Sequence, residues 1–262
     1  WIQDALQPAS LPELQAAFTR LGDQPKGTQP FVAHARALYL SRCPTCHTDG
    51  VAEWFAWDRE TQRPFAKRVH CPQCPEAQEG QVDMRDNALL EQFSPRSGPA
   101  YHIALGRAAA LDDPVRERAA ELVALYTPRN LALLMDIIHR LPQASPNPAI
   151  QRALALLVLA ALDLGNSLVP YNEPLSRPRS LRPPPRFLEY NVWLAMEQAL
   201  RDFSAHTNTP VGIAIDAPAG DTPLDTALTT LLQSQAGAHL LLSHPLRVVA
   251  SAIPADSIAA LL

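Results

Sequence analysis

Two short stretches hold every cysteine of the chain: Cys43-Pro44-Thr45-Cys46 and Cys71-Pro72-Gln73-Cys74. Two C-x2-C pairs separated by 24 residues have the spacing to point four thiolates at one tetrahedral Zn2+, with Zn–S distances of about 2.3 Å. A proline inside each pair suits the tight turn that a metal knuckle needs. Cys43, Cys46, Cys71 and Cys74 are therefore the expected ligands of one zinc ion, with His47 and His70 as neighbours. Three other chemistries use the same residue types. "CPTCH" matches the C-x-x-C-H attachment pattern of haem c, with His47 as axial ligand, but leaves the second pair without a role. A thioredoxin-like redox pair would open a helix after a strand, whereas "CPTC" follows a helical pattern. Two disulfides would suit a secreted chain.

Elements must bring the two turns together. Between them, "AEWFAW" and "RPFAKRV" read as the arms of a β-hairpin that turns at "DRETQ". Turn, hairpin, turn is the zinc-ribbon pattern, placed at residues 43–74. So short a span buries little surface, and the metal is expected to supply much of its folding energy. Arg63, Lys67 and Arg68 on the second arm, interleaved with Trp54, Phe55, Trp57 and Phe65, have the composition of a nucleic-acid surface.

Around this unit, residues 1–42 carry helical patterns at 11–21 and 30–42. The stretch from Cys74 to about 98 is polar and reads as irregular. Together with this irregular start, residues 75–205 read as a helical region. Asp113-Pro114 opens a helix over 113–126. Thr127-Pro128 is an N-cap followed by Pro at the first helical position, and Tyr126 and Leu131 are placed as a hydrophobic staple. Asn147-Pro148 opens a further helix, and Gly165 closes it. Residues 166–188 form a long loop with Arg177, Arg179, Arg182 and Arg186 against the single acid Glu173, either a linker or a phosphate-contacting arm. "EYNVWLAMEQALRDFSAH" reads as an amphipathic helix. In 206–262, "VGIAIDA" and "AHLLLSH" flank a helical pattern, as in a partial parallel sheet.

Composition limits the choices. The chain has 262 residues, 47% of them hydrophobic, and a net charge of -4. That is enough for one large core or two ordinary ones, and bulk charge gives no hint of nucleic acid. The 26 prolines, roughly twice average usage, lie between helical segments. The most apolar run, 150–165, contains Arg152 and Asp163 and reads as a buried helix. No signal peptide is visible, and the composition fits a cytoplasmic protein without a membrane span.

The order of ribbon, "YTPRNLALL", Arg/Pro-rich loop, "EYNVW" and "PADSIAALL" resembles a group of large bacterial adenine-specific DNA methylase-like proteins that contain a zinc ribbon. The resemblance runs from about Leu38 to the end. It implies an α/β fold in which a zinc ribbon and a helical cluster are inserted in, or attached to, an incomplete Rossmann-like methyltransferase sheet. It further implies DNA as partner, a role in DNA modification or phage defence, and S-adenosylmethionine as cofactor of the complete protein only. In that family a glycine loop for the cofactor precedes the ribbon, and an Asp-Pro-Pro-aromatic motif follows a phrase like "PADSI". Neither occurs here, and "IDAPAG" (215–220) only echoes the second. No catalytic residue is assigned, and the chain reads as an internal portion or a degenerate relative. It would work with the rest of a methyltransferase chain or its other subunits. The other reading is a non-catalytic zinc-ribbon adaptor for nucleic acid or protein.

Overall fold

A computed structural model describes residues 10–93, 98–172 and 182–206. The chain enters through α1 (Leu11–Asp23), a minimal hairpin of β1 (Pro25–Lys26) and β2 (Gln29–Pro30), and α2 (Phe31–Ala37). It then runs through β3 (Leu40–Arg42), β4 (Asp49–Asp58), β5 (Arg63–His70) and β6 (Gln78–Gln81). Five helices follow: α3 (Met84–Leu90), α4 (Pro99–Ala108), α5 (Arg116–Val123), α6 (Pro128–Ala144) and α7 (Pro148–Gly165). The last described elements are β7 (Arg186–Tyr190) and α8 (Val192–His206).

Helix and sheet are mixed, and every described strand pairing is antiparallel. The hairpin expected between the cysteine pairs forms as β4–β5. Its turn is closed by Asp58, whose carboxylate accepts from the amides of Glu60 and Thr61 at 3.0 Å. β6 extends the sheet beyond β5. On its other side β4 has two partners in tandem. β3 covers Asp49–Val51, and β7, more than a hundred residues later, covers Trp54–Asp58. Asn191 fills the gap between them. Its amide donates to the Glu53 carbonyl at 2.8 Å and its side chain to the Ala52 carbonyl at 3.0 Å.

This arrangement gives the hairpin more support than a short ribbon has alone. Ala52, Phe55 and Val69 belong to the main core together with Leu14, Phe31, Leu134, Leu154 and Trp193 from the surrounding helices. Trp54 and Ala56 face the other way, into a second cluster with Leu188, Tyr190 and Val169. Each large side chain so buried contributes about 1.5–3 kcal/mol, so the hairpin does not rely on metal for all of its stability.

Several helix starts follow their sequence signals. Thr127 accepts from the Asn130 amide at 3.3 Å and Asn147 from the Ala149 amide at 3.0 Å, each with Pro at the next position. Tyr126 and Leu131 share one apolar cluster. Other expectations are corrected. The second N-terminal helix stops at Ala37, and residues 40–42 are drawn into β3 by pairing with β4. The stretch after Cys74 contains β6 and α3, the latter opened by a capping box in which Asp83 and Asp86 satisfy each other's backbone amides. Helix α4 starts at Gly98-Pro99. Glu189 and Tyr190 lie in strand β7, and the helix begins only after Asn191, whose Oδ1 accepts from the amides of Trp193 and Leu194. The apolar α7 has the length and composition to cross a membrane. It packs instead against α1, α6 and α8 through Ile150, Leu154, Leu157 and Ala161. The expected strands at 211–217 and 238–244 lie outside the described residues.

Candidate metal centre

The first cysteine turn leaves β3 and returns into β4. Its backbone closes through Cys43 N–H to the Thr48 carbonyl at 2.9 Å, and His47 takes a left-handed φ of 59°. The second turn follows β5 directly. Antiparallel pairing sets the two turns side by side at one end of the hairpin. Two glycines permit the close approach. A Cβ on Gly50 would lie 2.3 Å from the His70 carbonyl oxygen and 3.0 Å from the Cys71 Cα. A Cβ on Gly80 would lie 2.4 Å from the Pro44 Cβ. Any side chain at Gly50 would therefore force the turns apart.

The four sulfurs converge. Cys43 Sγ lies 3.9 Å from Cys74 Sγ and Cys46 Sγ 3.5 Å from Cys71 Sγ, and all four fall within 4.8 Å of one another. A tetrahedral zinc with Zn–S near 2.3 Å separates its sulfurs by about 3.8 Å, so the donor set fits. Each of these two short S–S approaches joins one turn to the other. Cys43 and Cys71 are buried, Cys74 is half-buried and Cys46 exposed, and none of the four is in a disulfide. The Thr48 amide and hydroxyl hold the Cys46 thiol down at about 6. The neighbouring Cys71 sulfur, with some burial, pushes Cys74 up to about 12. Ionising one member of the cluster thus hinders ionising another, and a divalent cation would relieve that conflict. His70 is engaged elsewhere, with Nε2 3.0 Å from a Glu53 carboxylate oxygen. Four protein ligands leave no open position for substrate, so the site can hold a structural metal and offers no catalytic one.

The basic residues separate into two groups. Lys67, expected on a nucleic-acid surface, is 2% exposed and ion-paired with Asp86 at 2.6 Å and Asp83 at 2.9 Å. Ser41 donates to the same Asp86 at 2.6 Å. Burial pushes the Asp83 carboxyl up, but the Lys67 ammonium and the Asp86 and Arg85 amides outweigh it and hold it below the usual carboxylate range. Arg68 sits between Glu53 at 3.2 Å and Glu79 at 3.6 Å. Trp54 and Phe55 are core residues, and Trp57 stacks on Phe187. That face is committed to the fold.

At the end of the hairpin away from the cysteines, Arg63 of β5 and Arg186 of β7 flank Asp58 of β4 from either side. Both are exposed, and the Arg186 guanidinium stands 5.1 Å from the Phe65 ring centroid and 3.6 Å from the Asp58 carboxylate. Arg182 is exposed as well. Arg177 and Arg179 lie outside the described residues.

A buried polar junction is a feature that the sequence did not announce. Glu189 of β7 is fully buried and receives four donors: Arg129 Nε at 3.1 Å, Arg129 Nη2, the Thr127 hydroxyl and Trp57 Nε1 at 2.7 Å. The Arg129 guanidinium lies between the Tyr39 and Phe55 rings, 4.5 Å from each centroid. Asn130 donates to the Gly165 and Tyr190 carbonyls and accepts from the Tyr39 hydroxyl. "YTPRN" and "EYN", about 60 residues apart in sequence, thus meet across α6, β4 and β7. The signal was a cluster of polar residues at the mouth of an apolar helix, together with a lone acid in an apolar run. No known protein family, no curated protein and no solved structure matches the chain.

Proposed function

We propose that this chain is the zinc-bearing, non-catalytic part of an adenine-specific DNA methyltransferase-like protein, a zinc ribbon built into a helical scaffold. The convergence of Cys43, Cys46, Cys71 and Cys74 on a tetrahedral sulfur set carries the metal assignment. Zinc would tie the two turns together and fix the root of the hairpin. The hairpin's other end then presents Arg63 and Arg186, with Arg182, to phosphate. The link to methyl transfer is supported by the sequence resemblance, whose most specific phrases, "YTPRN" and "EYNVW", supply the buried junction. S-adenosylmethionine and the acceptor-base pocket belong to other parts of such an enzyme, and the described residues contribute DNA contact.

Elemental analysis of protein purified under reducing conditions tests the metal. One equivalent of zinc is expected in the natural chain, and less than about a tenth of that in the Cys43→Ser/Cys74→Ser double variant. Less than half an equivalent in the natural chain, or a haem Soret band, would count against the zinc assignment. Retention of DNA binding without methyl transfer to mixed-sequence duplexes would favour the non-catalytic role.

A further inference from the structure

A hollow of about 580 Å³ lies between α4 and α6, in a part of the molecule the zinc and DNA reading does not use. It exists because small residues line it on both helices. Ala100 and Ala132 leave space that larger side chains would fill, and Ile103 and Met135 form apolar walls. Ile103 stays 54% exposed, a large apolar side chain beside the exposed Arg107. The volume is in the range of small-molecule sites, which are typically apolar with a few polar groups at the edge.

Charge is unevenly balanced around the polar lining. Asp136 is neutralised by Lys26 at 2.6 Å. Arg107 and His139 have no side-chain partner among the described residues. Among the described residues one cation, Arg107, therefore has no counter-charge beside an apolar hollow, and the complementary molecule has an apolar body and a single anionic group. We infer that the hollow between α4 and α6 binds a small amphiphilic carboxylate, with its apolar body between Ile103 and Met135 and its carboxylate on Arg107. Arg offers a carboxylate two parallel N–H donors, a geometry that an alcohol or amide cannot match.

The test titrates the zinc-loaded full chain with decanoate and 4-phenylbutyrate, and with decanol as the uncharged control, by calorimetry. Saturable binding of at least one carboxylate is expected, with decanol at least tenfold weaker than decanoate. Arg107→Gln, an exposed change that leaves the core alone, should weaken the carboxylate about tenfold and leave decanol unchanged. Ala132→Leu should weaken both ligands, and its helical circular dichroism and zinc content report that it has folded. Failure of both carboxylates to saturate would overturn the inference. So would carboxylate binding that neither variant alters, which would place the ligand elsewhere. Neither result would bear on the zinc or DNA reading.

Discussion

Glu189 shows how much one buried side chain can decide. Its four donors come from three separate residues, Trp57, Thr127 and Arg129, and Arg129 has no other anion bonded to it among the described residues. Removing one partner of a buried pair strands the other charge, at a cost of about 3–5 kcal/mol. Glu189→Ala should therefore lower stability in urea by about that amount. Glu189→Leu combined with Arg129→Met should cost less than either single change, because no charge is left stranded. Equal additive losses would show that the pair is not coupled. The cysteines have their own pH signature. Metal binding needs thiolates, and Cys74, with its thiol at about 12, must release a proton to bind. Zinc affinity should rise from about pH 6 to about pH 8, with proton uptake on chelation. A pH-independent affinity would exclude a protonated ligand in the metal-free site.

The hairpin is held in two ways along its length. Near the cysteines its partners are β3, β6 and the turns that Gly50 and Gly80 let approach. Farther along, Phe55 lies in the main core, and Trp54, paired with Tyr190 of β7, packs in the second cluster with Val169 and Leu188. Zinc removal should therefore loosen one end only. Hydrogen exchange after chelation should speed up at residues 43–50 and 71–81, while Trp54–Trp57 keep their protection. Loss of protection along the whole hairpin at once would mean that metal supplies its entire folding energy, as its short length alone suggests. Lys67 belongs to this scale too. It is ion-paired with both Asp83 and Asp86 at the start of α3 and so anchors that helix to β5. Because Asp83 is held below its unfolded value, its contribution is present above about pH 4 and disappears as pH falls through the lower folded value.

At the scale of the molecule, the cysteine cluster and the exposed arginines occupy opposite ends of one sheet. A metal at the cysteines would orient that surface without contacting the arginines. Replacing Arg63, Arg182 and Arg186 by Ala should weaken duplex binding and reduce the log–log salt slope by roughly 0.9 for each phosphate no longer neutralised. Replacing Arg68, which lies between two carboxylates, Glu53 and Glu79, where Arg186 faces only Asp58, should change the slope less. An unchanged slope in the triple variant would rule out this end of the sheet as the proposed DNA contact.

Local chemistry was legible in the sequence. The cysteine spacing, the hairpin between the pairs, and the caps at Thr127 and Asn147 all depend on residues close together in the chain. Interactions set by distant segments were not legible. Lys67 reads as a surface cation until α3 brings two carboxylates to it. Glu189 reads as a helical residue until β7 pairs with β4 and places it opposite Arg129. The reason is physical: a cap or a knuckle is satisfied within its own turn, whereas a buried charge is tolerable only where the fold delivers its partner. Residue order alone marks where a metal could bind; which charges stay at the surface to meet a ligand depends on how distant segments pack.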